Sequence, residues 1–197
     1  MRLTLDTNCL INLENRTSQH ESVRALIEAH RARRVVVCVP AMAASENQRG
    51  GKRRSSYKEF EAWLQQIDAA GLNEIKPMGY WGIAFWNHAV YSGPESKAQE
   101  RAIHDILHPD VLPSYADFCA QRGIDPLIRP QDRHWLNAKC DVQALWSHIH
   151  AGNDVFVTED RGFLRAQRKA QLIALGAGHI TTPDEAVARF LVDSKNG

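Results

Sequence analysis

Apolar positions along the chain follow two rhythms. Leu3 to Leu5 form a short apolar opening that ends at Asp6, as a buried first strand would. Val35-Val36-Val37-Cys38-Val39 is almost wholly β-branched, which predicts an interior strand buried on both faces. Pro40 stops that strand and predicts the opening of a helix from Ala41 to about Gln48. Val155-Phe156-Val157-Thr158 reads as a further strand, with Thr158 to Gly162 as its exit loop, and Asn73 to Met78 as another short one. Between them, three sets repeat at helical spacing: Val23, Leu26, Ile27 and His30; Phe60, Trp63, Leu64 and Ile67; Val142, Leu145, Trp146 and Ile149. Gly71 and Gly152 close the last two. Thr182-Pro183-Asp184-Glu185 is a capping box with proline at the first helical position, opening a final helix through Val187, Phe190 and Leu191. Apolar strands alternating with helices predict an α/β fold, a three-layer α/β/α sandwich with a mainly parallel central sheet.

The rhythm loosens over roughly 79 to 135. That stretch holds five of the chain's eight prolines, and two short helices are expected in it. With 197 residues, 44% hydrophobic and 24% charged, the chain fits one domain, 1–197, carrying this stretch as an insertion or extended helical segment. The net charge of +1 argues against a protein that coats nucleic acid, although a local basic patch would not show in the total. The opening residues reach Asp6 before any apolar core develops, unlike a signal peptide. The longest run without strongly polar residues, Val35 to Ala44, contains a proline and is too short to span a bilayer, so no membrane partner is expected. Cys9, Cys38, Cys119 and Cys140 include no Cys-x-x-Cys pair, which favours a reduced, cytoplasmic setting over a zinc ribbon or a redox dithiol.

Chemistry enters through the acids. In open parallel sheets, ligands collect beyond the carboxyl ends of the strands. Asp6 follows the first strand directly, and Asp160 follows the Val155–Thr158 strand by one residue. Glu46 is expected in the helix leaving the Val35–Val39 strand, and Asp141 near the start of its own helix. Four carboxylates converging in a partly dry cleft would raise one another's pKa values. A hard divalent cation, Mg²⁺ or Mn²⁺, relieves that repulsion and suits phosphodiester hydrolysis. Asn8 and Thr158 sit beside these acids and could orient ligands. Arg49, Lys52 and Arg53 after Glu46, and Arg161 after Asp160, are candidate phosphate contacts.

Leu5-Asp6-Thr7-Asn8-Cys9-Leu10-Ile11 resembles the opening motif of PIN domains, where an Asp followed by Thr or Ser and then Asn ends the first strand. Val39 to Glu46, Lys139 to Leu145 and Asp154 to Phe163 are similar to the second, third and fourth motifs of that family. The resemblance covers residues 1 to about 75 and 136 to 192. It implies a PIN-like fold, Asp6, Glu46, Asp141 and Asp160 as catalytic metal ligands, and Mg²⁺ or Mn²⁺ dependence. It also implies cleavage of single-stranded RNA, as in VapC-type toxins, with an antitoxin protein and a homodimer as partners. The long separation of Glu46 from Asp141 departs from the compact toxins of the family. In the third motif Cys140 precedes Asp141, and Asp132 is the reserve candidate.

Two other readings compete. His104-Asp105-Ile106-Leu107-His108 places two histidines at i and i+4 with an acid between, a spacing that can hold Zn²⁺ in a His-Asp hydrolase, although Asp stands where zinc proteases carry Glu. A catalytically idle PIN-like scaffold that binds RNA or protein is the other, and it would be expected to lose acids. Trp81 and Trp86, with Tyr80 and Phe85, read as packing residues or as a stacking platform for unpaired bases. His148 and His150 face opposite sides of their helix and read as structural.

Overall fold

The computed structural model describes residues 1–46, 54–127 and 131–191. Five strands form one sheet: β1 Arg2–Leu5, β2 Val36–Pro40, β3 Asn73–Ile75, β4 Val155–Val157 and β5 His179–Thr181. Their order is β3-β2-β1-β4-β5, and every pairing is parallel. The expected parallel α/β class is therefore what the chain adopts.

Helices cover both faces. They are α1 Thr7–Asn15, α2 His20–Arg31, α3 Tyr57–Gln66, α4 Pro94–Leu107, α5 Tyr115–Arg122, α6 Arg133–His150, α7 Arg161–Leu164, α8 Ala166–Leu172 and α9 Pro183–Phe190. The period-2 alternation of strand side chains divides the core between the two faces. Leu3, Leu5, Val37, Val39, Val155 and Val157 share one cluster with residues of α1, α2, α3 and α9. Phe156 turns the other way, into a cluster with Val142, Leu145 and Trp146 of α6 and Ile103 and Leu107 of α4. Thr4, on that second face, is fully buried beneath α6; its hydroxyl lies 2.8 Å from His148 Nδ1 and accepts from Asn153 Nδ2 at 2.8 Å. His148 Nε2 meets the Ala177 carbonyl at 2.9 Å, so that nitrogen carries a proton, and burial, by lowering the pKa to about 4, keeps the ring neutral. The structural reading of His148 holds.

Several elements differ from expectation. Pro40 ends β2 rather than opening a helix, and Ala41–Ala44 forms only a 3-10 turn. Glu46 lies just past that turn, separated by Ser45, while Asn47 and Gln48 lie outside the described residues. Helix α6 begins at Arg133, capped by Asp132, whose carboxylate accepts from the backbone of His134 and Trp135. Asp141 is consequently mid-helix, not at a helix start. The stretch expected to hold two short helices contains α4, which is 14 residues long, and α5. A third cluster joins this segment to the rest through Ile83, Val111, Phe118, Trp135, Leu136 and Met42.

Glu100 of α4 and Lys139 of α6 make a buried ion pair at 2.5 Å. The Tyr80 hydroxyl bridges both groups at 3.1 Å, and Gln143 Nε2 adds a 3.3 Å bond to Glu100. No helix among the described residues is long and apolar enough to cross a membrane.

Candidate active site at the reversal of the sheet

From β1 the chain moves outward through β2 and β3, then returns to the other side of β1 for β4 and β5. The winding direction therefore reverses between β1 and β4. Such reversals leave a crevice beyond the carboxyl ends of the two strands, where ligands of open α/β sheets collect. Leu5 pairs with Val157, so Asp6 and Thr158 leave the sheet side by side. The Asp6 amide donates to Val157 O at 2.9 Å.

Asp6 is 5% exposed and caps α1. Its Oδ1 accepts from the Thr7 amide at 2.8 Å; its Oδ2 accepts from Asn8 Nδ2 and from the Thr158 hydroxyl, each at 2.7 Å. Asn8 Nδ2 also donates to the Thr158 hydroxyl at 2.9 Å, and its Oδ1 accepts from the Glu159 amide at 3.1 Å. Asn8 and Thr158 thus both hold the Asp6 carboxylate. The Thr158 hydroxyl accepts from the Asp160 amide at 3.0 Å, tying the two acid-bearing turns together. Asp160 in turn caps α7 through the Gly162 amide. Both residues meet the bland expectation for an Asp after a strand, a helix cap, and both are bonded to the Thr158 hydroxyl.

Glu46 is tied to this group by Thr7, whose hydroxyl donates to Oε1 at 2.5 Å. Asp141 projects from α6, and its Oδ2 lies 3.0 Å from His108 Nε2. The four acids feel one another. Burial, the first cause, pushes Asp6 from the ordinary 3.8 to about 6, with Asp160 adding to the rise and hydrogen bonds from Thr158, Thr7 and Asn8 opposing it. Glu46 is raised well above the carboxylate range by burial, then by Asp6 and Asp141, against the Thr7 bond and Arg54. Asp141 is raised well above its usual value by burial, Asp6 and Asp160. Glu46 and Asp141 are only half-buried by surface, yet surrounding protein displaces most of the water that would stabilise their charge.

As the side chains stand, no three His, Cys, Asp or Glu among the described residues are gathered into a chelating group. Glu46 is turned onto Thr7 and Asp141 onto His108.

The other candidates sort plainly. Arg161 is exposed at the first turn of α7. Arg49, Lys52 and Arg53 lie outside the described residues. Arg54, the next in that run, is buried, with its guanidinium 4.2 Å above the Trp63 ring, and so does not extend an exposed basic loop. Asp132 serves as the α6 cap, nine residues before Asp141 and about 13 Å away along the helix axis. His104 is buried with Nε2 against the Val111 carbonyl, so His104 and His108 do not present a joint zinc face. His108 instead joins the acid site, which spacing alone did not reveal, because Asp141 belongs to a different helix. Trp81 and Trp86 are not packed: they are 86% and 81% exposed and meet edge to face at 6.0 Å.

No family model matches the sequence, and no curated protein matches it. Among solved structures the chain is similar to VapBC2 from Rickettsia felis, bound to a DNA fragment from its promoter. The two are 12% identical, the similarity covers 92% of this chain and 98% of that one, and the TM-score is 0.45. A likeness that loose assigns neither residues nor activity to this chain.

Proposed function

We propose that the chain is a PIN-like, Mg²⁺- or Mn²⁺-dependent nuclease that hydrolyses phosphodiester bonds of single-stranded RNA, with Asp6, Glu46, Asp141 and Asp160 as its acids. The observation that carries this reading is the group of carboxylates where the sheet reverses, three of them raised by burial and by neighbouring acids. Burying like charges together is costly, and structural caps alone would not require Glu46 and Asp141 to join Asp6 and Asp160. The donor set is all hard oxygen, which fits Mg²⁺ or Mn²⁺ and not a soft metal. Mg²⁺ uses one or two carboxylates directly and retains several waters, so a site without a preformed three-residue chelate suits it.

When bound, such a cation supplies Lewis acidity toward a phosphodiester and lowers the pKa of water. The chain's own residues do the rest. Asn8 and Thr158 orient Asp6 and oppose the rise of its pKa, Thr7 holds Glu46, and Arg161, exposed beside Asp160, is the candidate phosphate contact. The resemblance adds a toxin role in the cytoplasm, with an antitoxin protein and a homodimer as partners. Gel filtration with light scattering that shows a monomer removes the homodimer.

The decisive measurement is cleavage of a single-stranded oligoribonucleotide with Mn²⁺ and with EDTA, in the parent, Asp6→Asn and Asp160→Asn. A matching oligodeoxynucleotide tests whether DNA is also cut. Cleavage should require Mn²⁺ and fall at least ~100-fold in either variant, the scale of losing one preorganised electrostatic group. Metal-independent binding with no cleavage by the parent would refute the proposal and leave the scaffold standing.

A further inference from the structure

The inserted stretch reaches the acid site at His108. Helix α4 ends at Leu107, and His108 has left helical geometry, at φ −133° and ψ 56°, although its amide still donates to His104 O at 2.8 Å. Pro109 prevents continuation. The turn is then closed twice. The Val111 amide donates to His108 O at 3.0 Å, and the buried His104 ring donates Nε2–H to the Val111 carbonyl. His104 therefore acts as an internal staple that fixes where the next imidazole points. That imidazole lies over α6, with Nε2 3.0 Å from Asp141 Oδ2.

Each of the other three acids has an oxygen held by a donor of its own. Asp6 is held by Thr7, Asn8 and Thr158; Glu46 by the Thr7 hydroxyl; Asp160 by the Gly162 amide. Asp141 projects from the middle of a helix into a group of like charges, which would push its carboxylate outward if nothing held it. We propose that His108 is a positioning residue of the site: its Nε2–H orients the Asp141 carboxylate for the divalent cation, so that the 79–135 segment forms part of the active centre. This rests on the metal-dependent reading above. Once a cation holds Asp141 ionised, the carboxylate offers only acceptors, and the ring nitrogen facing it is then the donor. Partners that orient ligating carboxylates in this way typically change metal affinity or activity 10- to 100-fold when removed.

The test is Mn²⁺ affinity, measured by electron paramagnetic resonance of the unbound ion, in the parent, His108→Ala, His108→Gln, Asp141→Asn and the double variant His108→Ala/Asp141→Asn. Thermal melts confirm that each is folded. His108→Ala should weaken Mn²⁺ binding about 10- to 100-fold. His108→Gln, whose amide nitrogen reaches the same position, should recover most of the loss. In the Asp141→Asn background, His108→Ala should have no further effect. Turnover in His108→Ala should fall with KM for RNA unchanged. Affinity within twofold of the parent in His108→Ala, or a loss that persists undiminished in the Asp141→Asn background, overturns the inference while the nuclease reading stands. A parent that binds no Mn²⁺ overturns both.

Discussion

Asp6→Asn offers a direct reading of how uncomfortable the buried acid is without a cation. The native carboxyl titrates near 6 and the unfolded one near 3.8, so folding without metal costs the free energy of forcing a proton onto Asp6 or carrying its charge unpaired. That difference amounts to about 3 kcal/mol at 1.36 kcal/mol per pH unit. A carboxyl whose native pKa is raised contributes stability below the unfolded pKa and loses it as pH climbs through the native one. The parent should therefore lose about 3 kcal/mol relative to Asp6→Asn between pH 3.8 and just above pH 6, and no more beyond. Asparagine keeps the Oδ1 acceptor for the Thr7 amide but spoils the two bonds at Oδ2. That cost is largely independent of pH and cancels when the parent–variant difference is followed across the titration. The assay is urea unfolding at closely spaced pH values in EDTA, read by tryptophan fluorescence. A parent–variant difference that stays constant within 1 kcal/mol from pH 4 to pH 8 would refute the reasoning. Saturating Mn²⁺ should restore the parent at pH 8 and leave the variant nearly unchanged.

Three further outcomes are expected. Burial holds the His148 pKa down to about 4, so its neutral form stabilises the fold above the unfolded value of 6.5, and that stability is lost as pH falls toward 4. Between pH 7 and pH 4 the parent should lose about 3 kcal/mol relative to His148→Gln, and equal acid sensitivity would contradict it. Gly178 has φ +60°, and a Cβ there would lie 2.3 Å from the Asp154 carbonyl oxygen, so Gly178→Ala should cost at least ~3 kcal/mol and lower Tm by about 10 °C by calorimetry. Lys139→Met alone should cost about 3–5 kcal/mol by leaving Glu100 buried and unpaired, while Lys139→Met/Glu100→Gln should recover much of that in denaturant unfolding.

The strands were readable where β-branched residues run together, as in Val35 to Val39, and the final helix where its capping box is complete. The three-residue β5 was not, because so short a strand has no period to detect. Helix α6 was read one half too short. Its first half buries Trp135, Leu136, Ala138 and Lys139, and a lysine on an apolar stripe hides the pattern until its partner Glu100, far away in sequence, is seen. Asp6, Asn8, Thr158 and Asp160 were legible together because parallel neighbours in a sheet deliver the residues after their last pair to one place. Glu46 and Asp141 sit on other local scaffolds than expected: Glu46 follows a 3-10 turn instead of lying within a helix, and Asp141 is mid-helix instead of near a helix start. His108 was noticed for its spacing to His104, yet its true partner is set by the α4–α6 packing, which no local window contains.

The placement of β1 has a consequence for synthesis. β1 is made before the other four strands yet becomes the middle of the sheet, and its second edge stays bare until β4 follows; Thr158 and Asp6 are 152 positions apart. At 5–20 residues per second that interval is about 8–30 s. Throughout it an apolar strand with one unpaired row of backbone donors and acceptors is open to wrong pairing. By the same token, no prematurely terminated product can bring the two strand-end acids together.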